Sequence, residues 1–360
     1  MKSHPTKQEK ALKYLTKILL SFAFLLAQSF AAFAQTSKIE SEDFFVPSKA
    51  PGIQLFMRHK HLTGVKATSG DKILLFVHGA TYPAETAFDL PIDGISMMDL
   101  FAAKGYDVYL VDVRGYGRST RPPEMEAPAQ DNAPIVHTAD AASDFGSAVD
   151  AILKRHNVPK INVMGWSWGT SIVGMYTSLN NQKVNRLVMF APMWLFAKET
   201  ALPTGPTAVK LGAYRTVSKD SAKARWLKGV TPEQAVGLIP PGVFEAWAEA
   251  TWATDPKATS GNLRAPNGVI DDVMTHWQAD KPMYDPSKIT VPTFLIHAEW
   301  DADLPLYQTL GLFKELTKTS YKRHVELGEG THTVMLEKNR MQFFREILGF
   351  LDERDPLAIK

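Results

Sequence analysis

Five short, predominantly apolar runs punctuate the chain: Ile73–Val77, Val108–Val111, Ile161–Met164, Arg186–Phe190 and Thr293–Ile296. Runs that are apolar at consecutive positions, rather than at every second one, suit strands covered on both faces, as in a parallel sheet with crossover helices. Helical stretches fall between them, around Ile95 to Ala103, Thr138 to His156, Trp168 to Leu179, Leu306 to Leu316 and Thr333 to Leu351. The expected class is α/β: a mostly parallel central sheet with helices on both faces.

The rhythm breaks between Pro192 and Lys288, a segment rich in Pro, Gly and Trp (Trp194, Trp226, Trp247, Trp252, Trp277) with short helical patterns and no convincing strand. In an α/β sheet the loops at the carboxyl ends of the strands surround the ligand crevice, so a long insertion there would roof it. The expected organisation is a targeting segment over residues 1–34, a core in two parts over 35–191 and 289–360, and a cap over 192–288.

Inside the third helical boundary the chain reads Gly165-Trp166-Ser167-Trp168-Gly169, with a strand before it and a helix after it. A residue on so sharp a strand-to-helix turn takes a strained backbone conformation, and side chains two before and two after it would collide. The turn lifts the Ser167 hydroxyl out at the top of the sheet and leaves backbone N–H groups at a helix N-terminus, where an oxyanion can be held. This is the G-x-S-x-G nucleophile elbow.

A serine hydroxyl needs a base to take its proton, and the base needs a carboxylate to orient it, in the chain order serine, acid, histidine. Of ten histidines, His332 alone combines a flexible loop, Gly328-Glu329-Gly330-Thr331-His332-Thr333, with a position after the last apolar strand and before the final helix; His297 and His324 read as strand residues and His137 opens a helix. The acid is expected after the preceding strand, in Ala298-Glu299-Trp300-Asp301-Ala302-Asp303, where Asp301 is favoured over Asp303.

Over residues 50 to 352 the chain resembles the α/β-hydrolase superfamily, in the branch with a helical cap. His78-Gly79-Ala80 follows a strand where that family places its oxyanion loop, so the resemblance implies the N–H groups of Ala80 and Trp168 as the oxyanion hole. Asp112-Val113-Arg114-Gly115-Tyr116-Gly117-Arg118-Ser119 is similar to the family's D-x-R-G-x-G-x-S loop, read here as structural, and Ala298 stands where the family's acid loop usually has glycine. Serine at the elbow favours acyl transfer over the alkyl-ester chemistry of relatives that carry aspartate there.

No cysteine is present, which excludes disulfides, thiolate metal sites and cysteine nucleophiles. No histidine or carboxylate cluster shows metal-ligand spacing and no G-x-G-x-x-G opens a helix, so neither a metal nor another cofactor is expected. The first 34 residues combine five lysines, an apolar run from Ile18 to Phe30 and Ala32-Phe33-Ala34, the pattern of a cleavable signal peptide. Its removal takes five lysines and one glutamate and moves the formal charge from +2 to −2. The expectation is a periplasmic or secreted protein with a small-molecule substrate, without a nucleic-acid partner and without a stable membrane anchor after cleavage.

These features make a carboxylic ester hydrolase the leading expectation. With no basic cluster near the motifs and with tryptophans concentrated in the insertion, its substrate is expected to be small or medium, neutral, and apolar or aromatic. A peptidase or amidase similar to proline iminopeptidases is the alternative, with Glu245 and Glu249 as cap carboxylates for a free amino terminus. A non-catalytic binding protein on the same fold is the third.

Overall fold

A computed structural model describes residues 38–65, 67, 69–197, 210–258 and 261–353. The expected targeting segment, 1–34, lies outside them.

Eight strands form the central sheet, in the order β1-β2-β4-β3-β5-β6-β9-β10. All five apolar runs are strands: β3 (Ile73–Val77), β4 (Asp107–Val111), β5 (Ile161–Trp166), β6 (Val184–Phe190) and β9 (Thr293–Ala298). They are parallel to one another, and β3, β4, β5 and β9 are buried at every position.

The strands that apolarity does not reveal are those at the edges. β1 (Ile39–Pro47) and β2 (Gln54–Leu62) form an antiparallel hairpin whose inner strand runs antiparallel to β4, and β10 (Lys322–Leu327) closes the other edge parallel to β9. Glu40, Glu42 and Asp43 on β1 and Lys322 and Arg323 on β10 supply the charge that keeps exposed edges from pairing with another chain.

The helices Thr138–His156 and Trp168–Leu179 occupy the expected residues. The final helix runs from Arg340 to Asp352 rather than from Thr333, and a 3-10 turn, Val334–Leu336, precedes it. The cause is Glu337, whose carboxylate turns inward to accept from the N–H of Thr331 at 2.9 Å and from the Thr331 hydroxyl. That holds the backbone in a loop instead of a helical turn.

Between β6 and β9 the described residues include the helices Lys219–Trp226, Val243–Ala253 and Gly268–Thr275, and also a strand pair that the sequence reading does not anticipate. β7 (Tyr214–Ser218) and β8 (Asn262–Pro266) pair antiparallel in a separate two-stranded ribbon. Both are short and carry polar residues, so neither has the apolar signature of a core strand. β8 is fastened by Arg264, which makes two hydrogen bonds to Asp255 from its side chain and one from its backbone N–H. Among the described residues no helix is long and apolar enough to cross a membrane.

Candidate active site

β5 ends at Trp166, and the helix Trp168–Leu179 begins one residue later, so Ser167 alone makes the turn, at φ +58° and ψ −124°. Such a conformation costs a non-glycine residue on the order of 1–3 kcal/mol and persists only where its surroundings impose it. Here the Ser167 N–H donates to the Phe190 carbonyl at 2.9 Å, and the Ser167 carbonyl accepts from both the N–H and the hydroxyl of Thr170, at 2.8 and 2.6 Å.

The flanking glycines are explained by backbone contact. A Cβ on Gly165 would lie 2.2 Å from the Gly169 carbonyl oxygen, and one on Gly169 would lie 2.6 Å from that of His78.

The two tryptophans have separate tethers. The Trp166 indole donates to the His332 carbonyl at 2.8 Å, tying the elbow to the loop that carries His332. The Trp168 indole donates to the Thr138 hydroxyl at 2.9 Å, and that hydroxyl donates to Asp272 at 2.7 Å, so the insertion is linked to the start of the elbow helix.

His332 Nδ1 lies 2.7 Å from Asp301 Oδ2. The other carboxylate oxygen of Asp301 accepts from the backbone N–H groups of Asp303 and Leu304 at 2.9 and 3.0 Å. A carboxylate fixed in this way accepts a hydrogen bond from Nδ1–H and leaves Nε2 as the unprotonated, basic nitrogen of the ring. Asp303, the competing acid, is engaged elsewhere: it pairs with Arg225 and Lys228 of the insertion at 2.5 and 3.2 Å. Burial works against ionisation of Asp303, but these two cations and His332 outweigh it and hold its pKa at about 2. His324, on β10, and His297, on β9, lie on strands as expected.

The loop after β3 passes directly against Ser167, since a Cβ on Gly79 would lie 2.8 Å from the Ser167 Cβ. His78 fixes this loop in a way the sequence reading missed. Its Nε2 accepts from the Val113 N–H at 3.2 Å, so its Nδ1 carries the proton and donates to the Gly79 carbonyl at 2.6 Å. Burial lowers the His78 pKa to about 4, which keeps the ring neutral and in that tautomer. Among the described residues neither the Ala80 nor the Trp168 N–H donates to a backbone acceptor outside regular secondary structure. Asp112 serves as a structural anchor, accepting from the Ala84 N–H at 2.7 Å and from that of Arg118 at 3.3 Å. Glu337, equally unforeseen, accepts from the Trp226 indole at 2.8 Å as well as from Thr331, and so braces the His332 loop. Its signal in the sequence is weak, a lone glutamate in an apolar turn.

Ser167, Ala80, Arg215, Arg225, Lys228 and Asp303 line a cavity of about 340 Å³, whose remaining wall includes Met193, Phe196 and Val269. Ala80, Arg225 and Asp303 also line a recess of only about 20 Å³ bounded by Tyr82, Trp166, Trp226, Trp247 and His332. The expectation that no basic cluster lies near the motifs therefore fails in three dimensions: the three cations lie far from Ser167 in sequence and are gathered by the folding of the insertion over β5.

Of the five tryptophans in the insertion, only Trp226 and Trp247 reach the recess. Trp194 and Trp277 pack against Tyr284, with ring centroids 5.5 and 6.1 Å away, and Trp252 packs on Trp247. Glu245 and Glu249 are exposed and line neither space, which removes the support for cap carboxylates binding an amino terminus.

The described residues also bring His59, Asp107 and His156 together, with one potential ligand atom from each within 4.8 Å of the others, although the sequence shows no metal-ligand spacing. This group sits at the amino-terminal ends of the parallel strands, opposite Ser167. Its bonds join β2, β4 and the end of the helix Thr138–His156: His59 Nε2 lies 2.6 Å from Asp107 Oδ1, and His156 Nε2 lies 2.7 Å from the Tyr109 hydroxyl.

Comparison with known proteins gives a consistent picture. The sequence model for the α/β-hydrolase fold matches residues 72–339. Protein ABHD8 of Bos taurus is 22% identical over 312 residues, 83% of this chain, and the chain spans 61% of that protein's length. Among solved structures, a serine hydrolase involved in carbazole degradation, the CarC enzyme, superposes with a TM-score of 0.56 at 17% identity, covering 88% of this chain and all of its own. The esterase RhEst1 from Rhodococcus sp. ECU1013 superposes with a TM-score of 0.54 at 16% identity, covering 86% of this chain and 98% of its own.

Proposed function

This chain belongs to the α/β-hydrolase family, and we propose that it is a serine hydrolase that cleaves a carboxylic ester with a small or medium apolar portion through an acyl-enzyme on Ser167. The observation that carries this reading is the strained turn at Ser167, tied through the adjacent Trp166 indole to the loop that carries the buried Asp301–His332 pair. Esterase and serine hydrolase structures among the fold's neighbours agree with it.

In the proposed cycle His332 Nε2 takes the Ser167 proton as the hydroxyl oxygen attacks the carbonyl carbon. The Ala80 and Trp168 N–H groups receive the oxyanion, and Asp301 stabilises the imidazolium. Collapse of the tetrahedral intermediate expels the alcohol with the proton held by His332. Water, deprotonated by the same nitrogen, then attacks the acyl-enzyme and releases the acid and free Ser167. Losing one oxyanion donor from such a site costs about 3 kcal/mol, or a hundredfold or more in rate.

A panel of chromogenic esters, acetate through octanoate and benzoate, run beside aminoacyl arylamides tests the reaction class. Turnover of the arylamides in preference to every ester would replace this reading with a peptidase. The same panel tests the recess. Because about 20 Å³ holds little more than a water molecule, Trp247→Ala is expected to enlarge it and shift specificity constants toward longer and aromatic acyl groups. Trp277→Ala, in a fully buried packing position, is expected to leave the preference unchanged and to lower stability by about 3–5 kcal/mol. An unchanged preference in the Trp247 variant would show that the recess does not select.

Export by cleavage of residues 1–34 belongs to the same proposal, on the strength of the basic, apolar and Ala-Phe-Ala segments. Amino-terminal sequencing of the protein from its native host is expected to begin near Gln35; an intact Met1 in the membrane fraction would refute it.

A further inference from the structure

Arg215 extends from β7 into the wall of the cavity that Ser167 lines. Its guanidinium donates to the Pro266 carbonyl, to the Thr81 hydroxyl at 2.6 Å and, at 3.5 Å, to the Asn267 side-chain oxygen, all of them neutral acceptors. Among the described residues no carboxylate pairs with it. Among the described residues Asp303 is the cavity's one lining carboxylate and is already shared by Arg225 and Lys228, so three lining cations among them stand against a single anion. A guanidinium has five N–H groups, and the three bonds named use at most three of them.

The position of this charge is held firmly. Thr81 immediately follows Ala80 and is itself strained, at φ +89°, an uncommon conformation for a β-branched residue. Its hydroxyl is the group that Arg215 grips, so the charge stands beside the oxyanion loop rather than ranging over the surface. Burial, with the nearby Arg225 charge adding to it, holds the Arg215 pKa below the usual guanidinium value, as expected of a cation that lacks its counter-ion.

A partly buried cation with spare donors, in a cavity whose other walls are Met193, Phe196 and Val269, is complementary to an amphipathic ligand carrying one negative group. We infer that the substrate bears a free carboxylate in addition to the scissile carbonyl, and that Arg215 is the specificity residue that binds it. This inference rests on the serine hydrolase reading of the same site and replaces the neutral substrate expected from sequence.

The test compares 4-nitrophenyl hemiglutarate with 4-nitrophenyl hexanoate, a neutral ester of similar length, with the Ser167→Ala protein as the background control. The parent is expected to favour the hemiglutarate ester in kcat/KM. Arg215→Gln is expected to lower that value, mainly through KM, by about 30- to 100-fold more than it lowers the hexanoate value. Arg215→Lys, which retains the charge, is expected to keep most of the preference. Equal losses of kcat on both esters in the Gln and Lys variants would overturn the inference, since they would mean that Arg215 acts on the oxyanion or the fold.

Titration calorimetry of Ser167→Ala with monomethyl glutarate reads the anion site without turnover. Binding that Arg215→Gln abolishes supports the site even if the parent hydrolyses neither ester. Absence of binding, together with Ser167-dependent turnover of the neutral ester, overturns the inference and leaves the hydrolase reading standing.

Discussion

Ser167→Ala is expected to abolish hydrolysis, with kcat falling by about 10⁶-fold toward the uncatalysed background, while the protein stays folded. The loss is large because, in the proposed cycle, the serine oxygen forms the covalent bond. What would remain under this proposal, the Ala80 and Trp168 N–H groups and the cavity, could assist only a direct attack by water. The fold should survive because the Ser167 hydroxyl makes no hydrogen bond among the described residues, whereas its backbone N–H and carbonyl, both held, are unchanged by the substitution. Alanine also meets the same cost as serine at φ +58°, so strain is neither added nor relieved. The measurement is kcat on the best ester of the panel, together with thermal unfolding. A variant that retains the parent's rate on a substrate turned over in this pocket would remove Ser167 from the mechanism.

The elbow could be read from the sequence because its constraints are local. Gly165 and Gly169 are dictated by backbone atoms within a few residues or on the neighbouring strand, and the apolar runs that become β3, β4, β5, β6 and β9 need only their own composition to announce burial. The order of Ser167, Asp301 and His332 follows from strand order in the same way. Arg215, by contrast, reaches the cavity from a polar five-residue strand with no core signature, and it becomes informative only once β7 pairs with β8 and brings it to Thr81. The same applies to Glu337, whose carboxylate turns inward to brace the His332 loop, and to His78, whose role depends on Val113 in the loop after the neighbouring strand. Charge compensation is a property of three-dimensional neighbours, and the sequence distances of 10 and 13 residues between Arg215 and the other two lining cations conceal it. The tryptophans make the converse point: their number suggested a lining, but most of them pack on one another or on Tyr284, as large apolar rings do when a small insertion must build its own core.

Asp301→Asn is expected to lower kcat by about 10⁴-fold, whereas Asp303→Asn should stay within about tenfold of the parent. The difference lies in which atoms each carboxylate serves. Asparagine at 301 can still present its carbonyl oxygen to the N–H groups of Asp303 and Leu304, so the loop has no reason to move. Its NH₂ then takes the place of the oxygen that faces His332 Nδ1 at 2.7 Å, and a donor there requires Nδ1 to accept. The imidazole proton moves to Nε2, which can no longer take a proton from Ser167. The defect is therefore one of tautomer, and it should ease as pH rises and hydroxide or the ionised serine supplies the missing base. At 303 the substitution removes a partner of Arg225 and Lys228 and leaves the Asp301–His332 bond untouched, so it should loosen the insertion over the site more than it slows the chemistry. His332→Ala should be as damaging as Ser167→Ala, and His324→Ala, on the strand Lys322–Leu327, should leave the rate unchanged. Rates for the four variants across pH 6 to 10 decide the assignment. A severe loss in Asp303→Asn with near-parental activity in Asp301→Asn would transfer the acid to 303, and inactivity of the His324 variant alone would transfer the base to β10.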